Sequence, residues 1–180
     1  MKTKMLIFVF LLGITDLFAQ TLYVPGAIVK GKNASYYCAF ENKLVVRVYN
    51  VNNVDTTTTM YYDDGTVVPH YVGLGGTIET KIEDLVRVFQ EALTQEEIDI
   101  LKSKITCSLQ LDIVTDKQGN TLEITFRLRN YDPVMTKFDP DRLYQLEQNL
   151  KKVLKLNPSK ADSSIKNMKY FLPISYKDLK

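Results

Sequence analysis

Two neighbouring segments, residues 105–113 and 122–129, alternate strictly between apolar and polar side chains, and no other feature narrows the choice of fold as much. A period of two residues is that of a β-strand with one face on a hydrophobic core. The intervening residues 115–120 include Gly119, which can adopt the left-handed conformation that a bulged turn requires. The pattern predicts a central antiparallel hairpin. Its polar face shows no catalytic spacing, so we assign no chemistry to it.

Three segments have the apolar spacing of amphipathic helices. The second begins with the capping box Thr94-Gln95-Glu96-Glu97. The third follows Asp139 and Pro140, which suit the N-cap and first turn of a helix. A final strand is predicted over residues 170–176, and Pro173 places it at a sheet edge because proline lacks the donor of a central strand. The apolar residues of the first helix are Ile82, Leu85, Val86, Phe89 and Leu93.

The segment before these helices is predicted to be rich in β-structure. Residues 34–40 and 44–51 are rich in Tyr and Val and are separated by a short turn, which is typical of a hairpin. Residues 56–62 and 66–68 predict a second small hairpin. Gly73-Leu74-Gly75-Gly76 lacks the Lys and Ser or Thr of a phosphate-binding loop, so we interpret it as a linker.

Together these elements predict an α+β fold, in which helices pack on one face of a small antiparallel sheet. We divide the chain into a signal peptide at residues 1–19, an N-terminal β-hairpin region with its linker at 20–76, and an α+β domain at 77–180. A length of 180 residues suits one ordinary domain, or a small domain with an N-terminal subdomain.

Composition and charge exclude several classes of function. Hydrophobic residues make up 45% of the chain and charged residues 24%, as in soluble globular proteins, so disorder is not expected. The formal net charge is +2, and Lys and Arg alternate with Asp and Glu along most segments. A surface that binds nucleic acid needs basic residues gathered on one face, so no nucleic-acid partner is predicted.

The inventory of reactive residues argues against catalysis and against a metal site. His70 is the only histidine, and no HExxH, GxSxG or P-loop motif occurs. Because a nucleophilic hydrolase needs a base beside its Ser or Cys, we predict no catalytic residues and no enzyme activity. No Cys-x-x-Cys spacing is present either, so we predict no metal ligands and no cofactor.

The two cysteines, Cys38 and Cys107, allow two interpretations. In an oxidising compartment they could form a disulfide, which would stabilise the fold by about 4 kcal/mol in the chain-entropy model. Alternatively, each is a small buried hydrophobe on the apolar face of a strand, because Cys107 is in phase with Leu109 and Leu111. The sequence leaves both interpretations open.

Tyrosines are dense in the first half of the chain and also allow two interpretations. Their rings could form a platform for a glycan, or they could cover half-buried sheet faces with their hydroxyl groups in water. The second, structural interpretation is the stronger one, because tyrosines are common on half-buried sheet faces. The residues concerned are Tyr23, Tyr36, Tyr37, Tyr49, Tyr61, Tyr62 and Tyr71.

The order of elements over residues 94–180, together with the motifs at 109–113, 116–120 and 174–176, resembles the C-terminal domain of TonB-like energy transducers. That resemblance implies a sheet whose edge strand accepts an extended segment of a partner through main-chain hydrogen bonds. The candidate edge-strand interface consists of Tyr170, Phe171, Ile174 and Tyr176.

Motifs in the first half resemble those of small uncharacterised secreted proteins of gut-type Gram-negative anaerobes. They are Tyr36-Tyr37-Cys38, Val48-Tyr49-Asn50 and Asp64-Gly65. The triplet Asp55-Thr56-Thr57 is similar to the O-glycosylation acceptor of such bacteria, which implies a glycan on Thr56. These resemblances predict a non-catalytic secreted or periplasmic interaction module for an unknown envelope or extracellular protein. The alternatives are a secreted inhibitor or immunity-like protein, and a glycan-binding protein.

The N-terminus has the pattern of a secretory signal peptide. Lys2 and Lys4 precede an apolar run at residues 5–14, and the segment ends at the small residue Ala19. A membrane span needs about 20 apolar residues, and Asp16 interrupts this run, so no stable span is expected after cleavage. Cleavage would lower the net charge from +2 to +1 by removing two lysines and one aspartate.

We expect the mature protein to begin at Gln20 when it is expressed in a Gram-negative host. Intact-mass measurement and N-terminal sequencing of protein from the periplasm or culture medium would check this. Ala19→Arg should block cleavage, because signal peptidase needs a small residue there, and the precursor should accumulate. A mature protein that still contains residues 1–19 would contradict the assignment.

Overall fold

A computed structural model describes residues 21–69, 74–103 and 108–179 of the chain. The described residues form an α+β fold with an antiparallel sheet and three helices. The helices are α1 (Ile82–Ala92), α2 (Gln95–Ser103) and α3 (Pro140–Val153). The strands, in chain order, are β1 (Ile28–Lys30), β2 (Ser35–Asn42), β3 (Val45–Asn50), β4 (Tyr61–Tyr62), β5 (Thr77–Ile78), β6 (Ser108–Thr115), β7 (Thr121–Arg129), β8 (Leu156–Asn157), β9 (Ile165–Lys166) and β10 (Met168–Ser175).

Six of these strands form one sheet in the order β1-β2-β3-β7-β6-β10. The predicted central hairpin is present as β6 and β7, with Leu111 opposite Phe126. The N-terminal hairpin of β2 and β3 joins it, because β3 pairs with β7 and places Val48 opposite Phe126. On the other side β10 pairs with β6 and ends the sheet. Two short pairs, β4 with β9 and β5 with β8, lie outside it.

The helices cover one face of the sheet, and the hydrophobic core lies between them. Leu111, Ile124 and Phe126 are fully buried on the strands, and Leu143 and Leu146 are fully buried on α3. All five belong to one cluster that also contains apolar residues of β2 and β3. The N-terminal hairpin and the elements after residue 77 therefore share one sheet and one core.

Local capping places the helix starts where the sequence predicts them. The Thr94 N–H donates to Glu97 Oε2 at 2.8 Å, and the Glu97 N–H donates back to Thr94 Oγ1 at 3.2 Å, which is a complete capping box. At α3, Asp139 Oδ1 accepts from the N–H groups of Asp141 and Arg142. Within the described residues, none of the helices combines the length and the apolar character needed to cross a membrane.

A buried polar contact connects the N-terminal hairpin to α3. Glu147 is completely buried, and the Tyr36 hydroxyl donates to its Oε2 at 2.7 Å, while Lys151 Nζ lies 2.6 Å from Oε1. Burial and the neighbouring Glu147 carboxylate raise the pKa of Tyr36, so the phenol stays protonated and donates. Because buried polar groups need partners, this contact specifies how β2 lies against α3.

The alternation breaks at the start of β7. Leu122 is exposed and Glu123 is buried, whereas strict alternation would give the reverse. The pairing register shifts between Val114 and Thr115, so Leu122 is the extra residue of a β-bulge. The predicted second hairpin is also shorter than expected: β4 contains only two residues, and it pairs with β9.

Cys38 is buried on β2, where burial raises the pKa of its thiol to about 11. This position fits the interpretation of Cys38 as a small apolar core residue. Cys107 and His70 lie outside the described residues, so the disulfide between Cys38 and Cys107 stays a prediction.

We expect Gly119→Ala to destabilise the fold more than Gly65→Ala does. Both glycines have a positive φ, +80° and +85°, which costs an alanine about 1–2 kcal/mol. A Cβ at Gly119 would also overlap the backbone carbonyl of Leu156, whereas a Cβ at Gly65 would meet no atom within 4 Å. Urea denaturation of both variants measures the difference. Equal losses would contradict the close approach of this turn to Leu156.

Candidate functional site

The sheet face opposite the helices, which we call the open face, carries a groove of about 760 Å³. Its lining side chains come from β3, β6, β7 and β10 and from the loop of residues 54–58. Apart from Ile113 and Tyr170, the lining residues on the strands are the ones that alternate with the buried core residues. The polar and aromatic members of the lining are Arg47, Thr56, Thr57, Asp112, Thr125, Arg127, Lys169, Tyr170 and Phe171.

Two arginines face each other across the middle of the groove. Arg47 on β3 is directly opposite Arg127 on β7, an arrangement of like charges that destabilises a sheet unless it is compensated. Asp112 lies between them: its Oδ2 is 3.5 Å from Arg47 Nε, and its Oδ1 is 3.5 Å from Arg127 Nη1. Burial raises the pKa of Asp112, although both arginines oppose that shift. These contacts are longer than charge-assisted hydrogen bonds of about 2.7–2.9 Å.

The two guanidinium groups differ in how well they are paired. Arg127 donates to Glu41, and its Cζ lies 5.3 Å from the centre of the Phe171 ring, within cation–π range. The buried Nε of each arginine has no hydrogen-bond partner among the described residues, and Arg47 makes only the long contact to Asp112. Arg47 is therefore the less satisfied of the two.

Glu123 fixes the loop that forms one wall of the groove. Its two carboxylate oxygens accept from the N–H groups of Val54, Asp55 and Thr56 and from the Thr56 hydroxyl, at 2.6–3.0 Å. Burial alone would raise the pKa of Glu123, but the hydrogen bonds from Asp55, Val54 and Thr56 outweigh it and hold the pKa below its ordinary value. These hydrogen bonds hold the loop of residues 54–56 against the sheet.

Lys169 closes the groove at the β10 side. Its Nζ donates to the carbonyl oxygen of Thr56 at 3.2 Å and also to that of Thr58. Burial is the main cause that lowers the pKa of Lys169, and the nearby charge of Arg47 adds to it. The groove thus holds its cations close together, partly shielded from water.

The predicted edge-strand residues fall into two groups. Phe171 is 51% exposed on the open face, and Tyr170 is half-buried. Ile174 and Tyr176 are buried in the core, and the Tyr176 hydroxyl donates to Asp132 Oδ2 at 2.6 Å. β10 is the end strand of the sheet, which is the position an edge interface requires. The interface itself stays a prediction.

Thr56, the predicted glycosylation site, is buried. Its hydroxyl donates to Glu123 Oε2 at 2.8 Å and accepts from Asn53 Nδ2 at 3.1 Å. A glycan on that oxygen would have to replace the bond to Glu123 and bring the loop away from the sheet. The modification remains a prediction.

Tyr71 lies outside the described residues, and the described tyrosines of this set do not share one surface. Tyr23 and Tyr36 are buried, whereas Tyr37 and Tyr49 form an edge-to-face pair with ring centres 5.6 Å apart. Tyr61 is exposed on β4, outside the main sheet. Over the described residues, no cluster of three or more His, Cys, Asp or Glu side chains is arranged to hold a metal ion.

The groove residues were not singled out by the sequence. The alternation places Asp112 and Arg127 on the polar face of the central hairpin, which is the signal that was available. The position of Arg47 beside them depends on the pairing of β3 with β7, and Lys169 depends on that of β10 with β6. Both pairings connect residues that are distant in sequence.

Comparison with known proteins supports the fold and leaves the function open. No protein-family model and no curated protein sequence matches the chain. Among solved structures, the chain is similar to the crystal structure of a DUF5043 family protein from Bacteroides uniformis, with a TM-score of 0.67 and 16% sequence identity. The match covers 88% of this chain and 95% of that one. Similarity at this level of identity shows a shared fold alone.

We expect Glu123→Gln to reduce stability and to change its dependence on pH. The native pKa of Glu123 lies below its ordinary value of 4.5, so its contribution is complete above that pH and is lost as the pH falls through the native pKa. The amide supplies one acceptor oxygen where the carboxylate supplies two, and the loss of stability at pH 7 should be about 1–3 kcal/mol.

Urea denaturation between pH 7 and pH 3 would measure both effects. The difference in unfolding free energy between wild type and Glu123→Gln should shrink as the pH falls below 4.5. Glu91→Gln, which removes an exposed carboxylate from α1, is the matched control and should change little. A difference that stays constant over this range would contradict the role of the ionised carboxylate.

Proposed function

We propose that this protein is a non-catalytic interaction module that binds an extended segment of an envelope or extracellular protein along β10. The observation that carries the proposal is the position of β10 at the end of the six-stranded sheet, with the side chain of its residue Phe171 exposed. An end strand has main-chain groups available for a further strand, and side chains at alternate positions provide selectivity.

The composition of β10 limits how a partner could add to it. Pro173 lies in the middle of the strand, opposite Gln110 of β6, and has no N–H to donate. Proline at an edge also discourages unspecific pairing with other strands. A partner would therefore depend on the residues on either side of Pro173 and on contact with Phe171.

The resemblance to the C-terminal domain of TonB-like energy transducers supports this mode of binding, because strand addition at a sheet edge is what that resemblance implies. The motifs at 109–113 and 116–120 fall in β6 and in the turn that follows it, and those at 174–176 lie where β10 ends. The proposal takes from this family only the edge-binding mode.

The proposed location is the periplasm or the cell exterior. It is supported by the signal-peptide pattern of residues 1–19, which lie outside the described part of the chain. The absence of catalysis is proposed from the sequence, which offers no nucleophile with a base beside it. Two carboxylates at the groove are also engaged in structural contacts: Asp112 contacts two arginines, and Glu123 accepts hydrogen bonds from a loop.

We expect a partner to contact Phe171 and not the helical side of the protein. A photo-crosslinking amino acid at position 171, introduced into the full-length protein in its native cells, should join to one contiguous segment of one protein. Ile82 on α1 is the matched control, because it is 50% exposed and Phe171 is 51% exposed. Crosslinks from position 82 should be absent or unspecific.

The purified complex then tests the contact quantitatively. Phe171→Asp should weaken binding by about tenfold or more, whereas Ile82→Asp should leave it unchanged. Both variants should stay folded because both side chains are exposed. Equal affinity of Phe171→Asp and wild type would overturn edge binding. A single soluble enzyme or toxin bound at nanomolar affinity away from β10 would favour the inhibitor or immunity-like alternative.

A further inference from the structure

The groove on the open face has an excess of positive charge in its lining. Three cations, Arg47, Arg127 and Lys169, line it together with one carboxylate, that of Asp112. Three further carboxylates lie near, and none of them pairs with Arg47: Glu41 pairs with Arg127, Glu123 accepts hydrogen bonds from the loop at 54–56, and Asp55 Oδ2 accepts from Asn167 Nδ2. A negatively charged group is the complement of such a lining.

Arg47 is the group best able to bind it. Its side chain is 29% exposed, and within the described residues its Nε has no hydrogen-bond partner. A half-buried guanidinium retains strong donors in surroundings where water screens them poorly. The planar arrangement of those donors fits the two oxygens of a carboxylate in a bidentate pair.

The same groove also contains apolar surface. The exposed ring of Phe171 lines it beside Arg127, and Val114 lines it opposite Lys169. Ligand sites of a few hundred cubic ångströms commonly combine an apolar surface with a few polar groups that fix orientation. At about 760 Å³, this groove has room for a small organic molecule.

We propose that the groove binds an organic carboxylate, whose carboxyl group pairs with Arg47 and whose ring or apolar chain packs on Phe171. Lys169 adds a second positive charge, and Asp112 keeps Arg47 and Arg127 oriented. A monoanion fits better than phosphate or sulfate, because Asp112 would repel a second negative charge close to the arginines.

The part of this site that binds the carboxyl group is separate from the edge contact proposed above, and Phe171 is common to both. Arg47 lies on β3, which is separated from β10 by β7 and β6, and its guanidinium is on the open face and not at the sheet edge. The carboxylate could belong to a free organic acid or to the C-terminus of a peptide. Both sources present the same chemistry, so the experiment compares them directly.

Isothermal titration of the mature protein with 3-phenylpropionate and with its neutral amide tests the proposal. We expect the acid to bind about tenfold or more tightly than the amide, because the amide cannot form a charge-assisted pair with Arg47. Acetate should bind more weakly than 3-phenylpropionate because it lacks the ring. The peptide Gly-Gly-Phe and its C-terminal amide form the second arm, and preference for one arm identifies the source.

Arg47→Gln should abolish the preference for the acid over the amide. Arg87→Gln removes the same charge from an exposed position on α1 and should leave the preference intact. Thermal unfolding of both variants shows whether they are folded, and binding to the partner found through Phe171 should survive Arg47→Gln. Equal binding of acid and amide, equal binding of inorganic sulfate, or an unchanged preference in Arg47→Gln would overturn the proposal.

Discussion

The pairing of β3 with β7 is the interaction on which the other features of this structure depend. On the core side it brings Val48 against Phe126, and burial of such side chains stabilises a fold by about 1.5–3 kcal/mol each. A shift of one residue would exchange the two faces of the strand, so the apolar side chains determine the register. The arrangement on the open face follows from it, including Arg47 opposite Arg127.

The open face therefore carries two like charges, those of Arg47 and Arg127, whose proximity destabilises a sheet unless it is compensated. Asp112 and Glu41 compensate the two arginines, but the contacts of Asp112 are long and Arg47 keeps unused donors. The loop held by Glu123 and the ammonium group of Lys169 then enclose this region on one side. Enclosure strengthens each electrostatic interaction because it reduces screening by water. This combination of rigid support and incomplete pairing is what we expect of a surface that binds a ligand.

The contact of Tyr36 with Glu147 has a different role from the charges on the open face. A buried charge with partners adds little net stability, whereas removal of one partner typically costs about 3–5 kcal/mol. Glu147 is completely buried on α3 and is paired with both Tyr36 and Lys151. Such a contact favours one arrangement of the N-terminal hairpin on the helix, because other arrangements would leave the buried carboxylate without partners. It connects the N-terminal region predicted at residues 20–76 to the domain predicted at residues 77–180.

The sequence by itself determined the local elements: the alternation of the central hairpin, the left-handed turn at Gly119, and the helix starts at Thr94 and Asp139. Each depends on residues within a few positions of one another, so the pattern contains the necessary information. The α+β class follows from their order. Tertiary structure alone decided that the first hairpin joins the same sheet, that a bulge buries Glu123, and that Arg47 meets Asp112. These contacts join residues about 65–85 positions apart, and period and propensity contain no information on which distant strands pair.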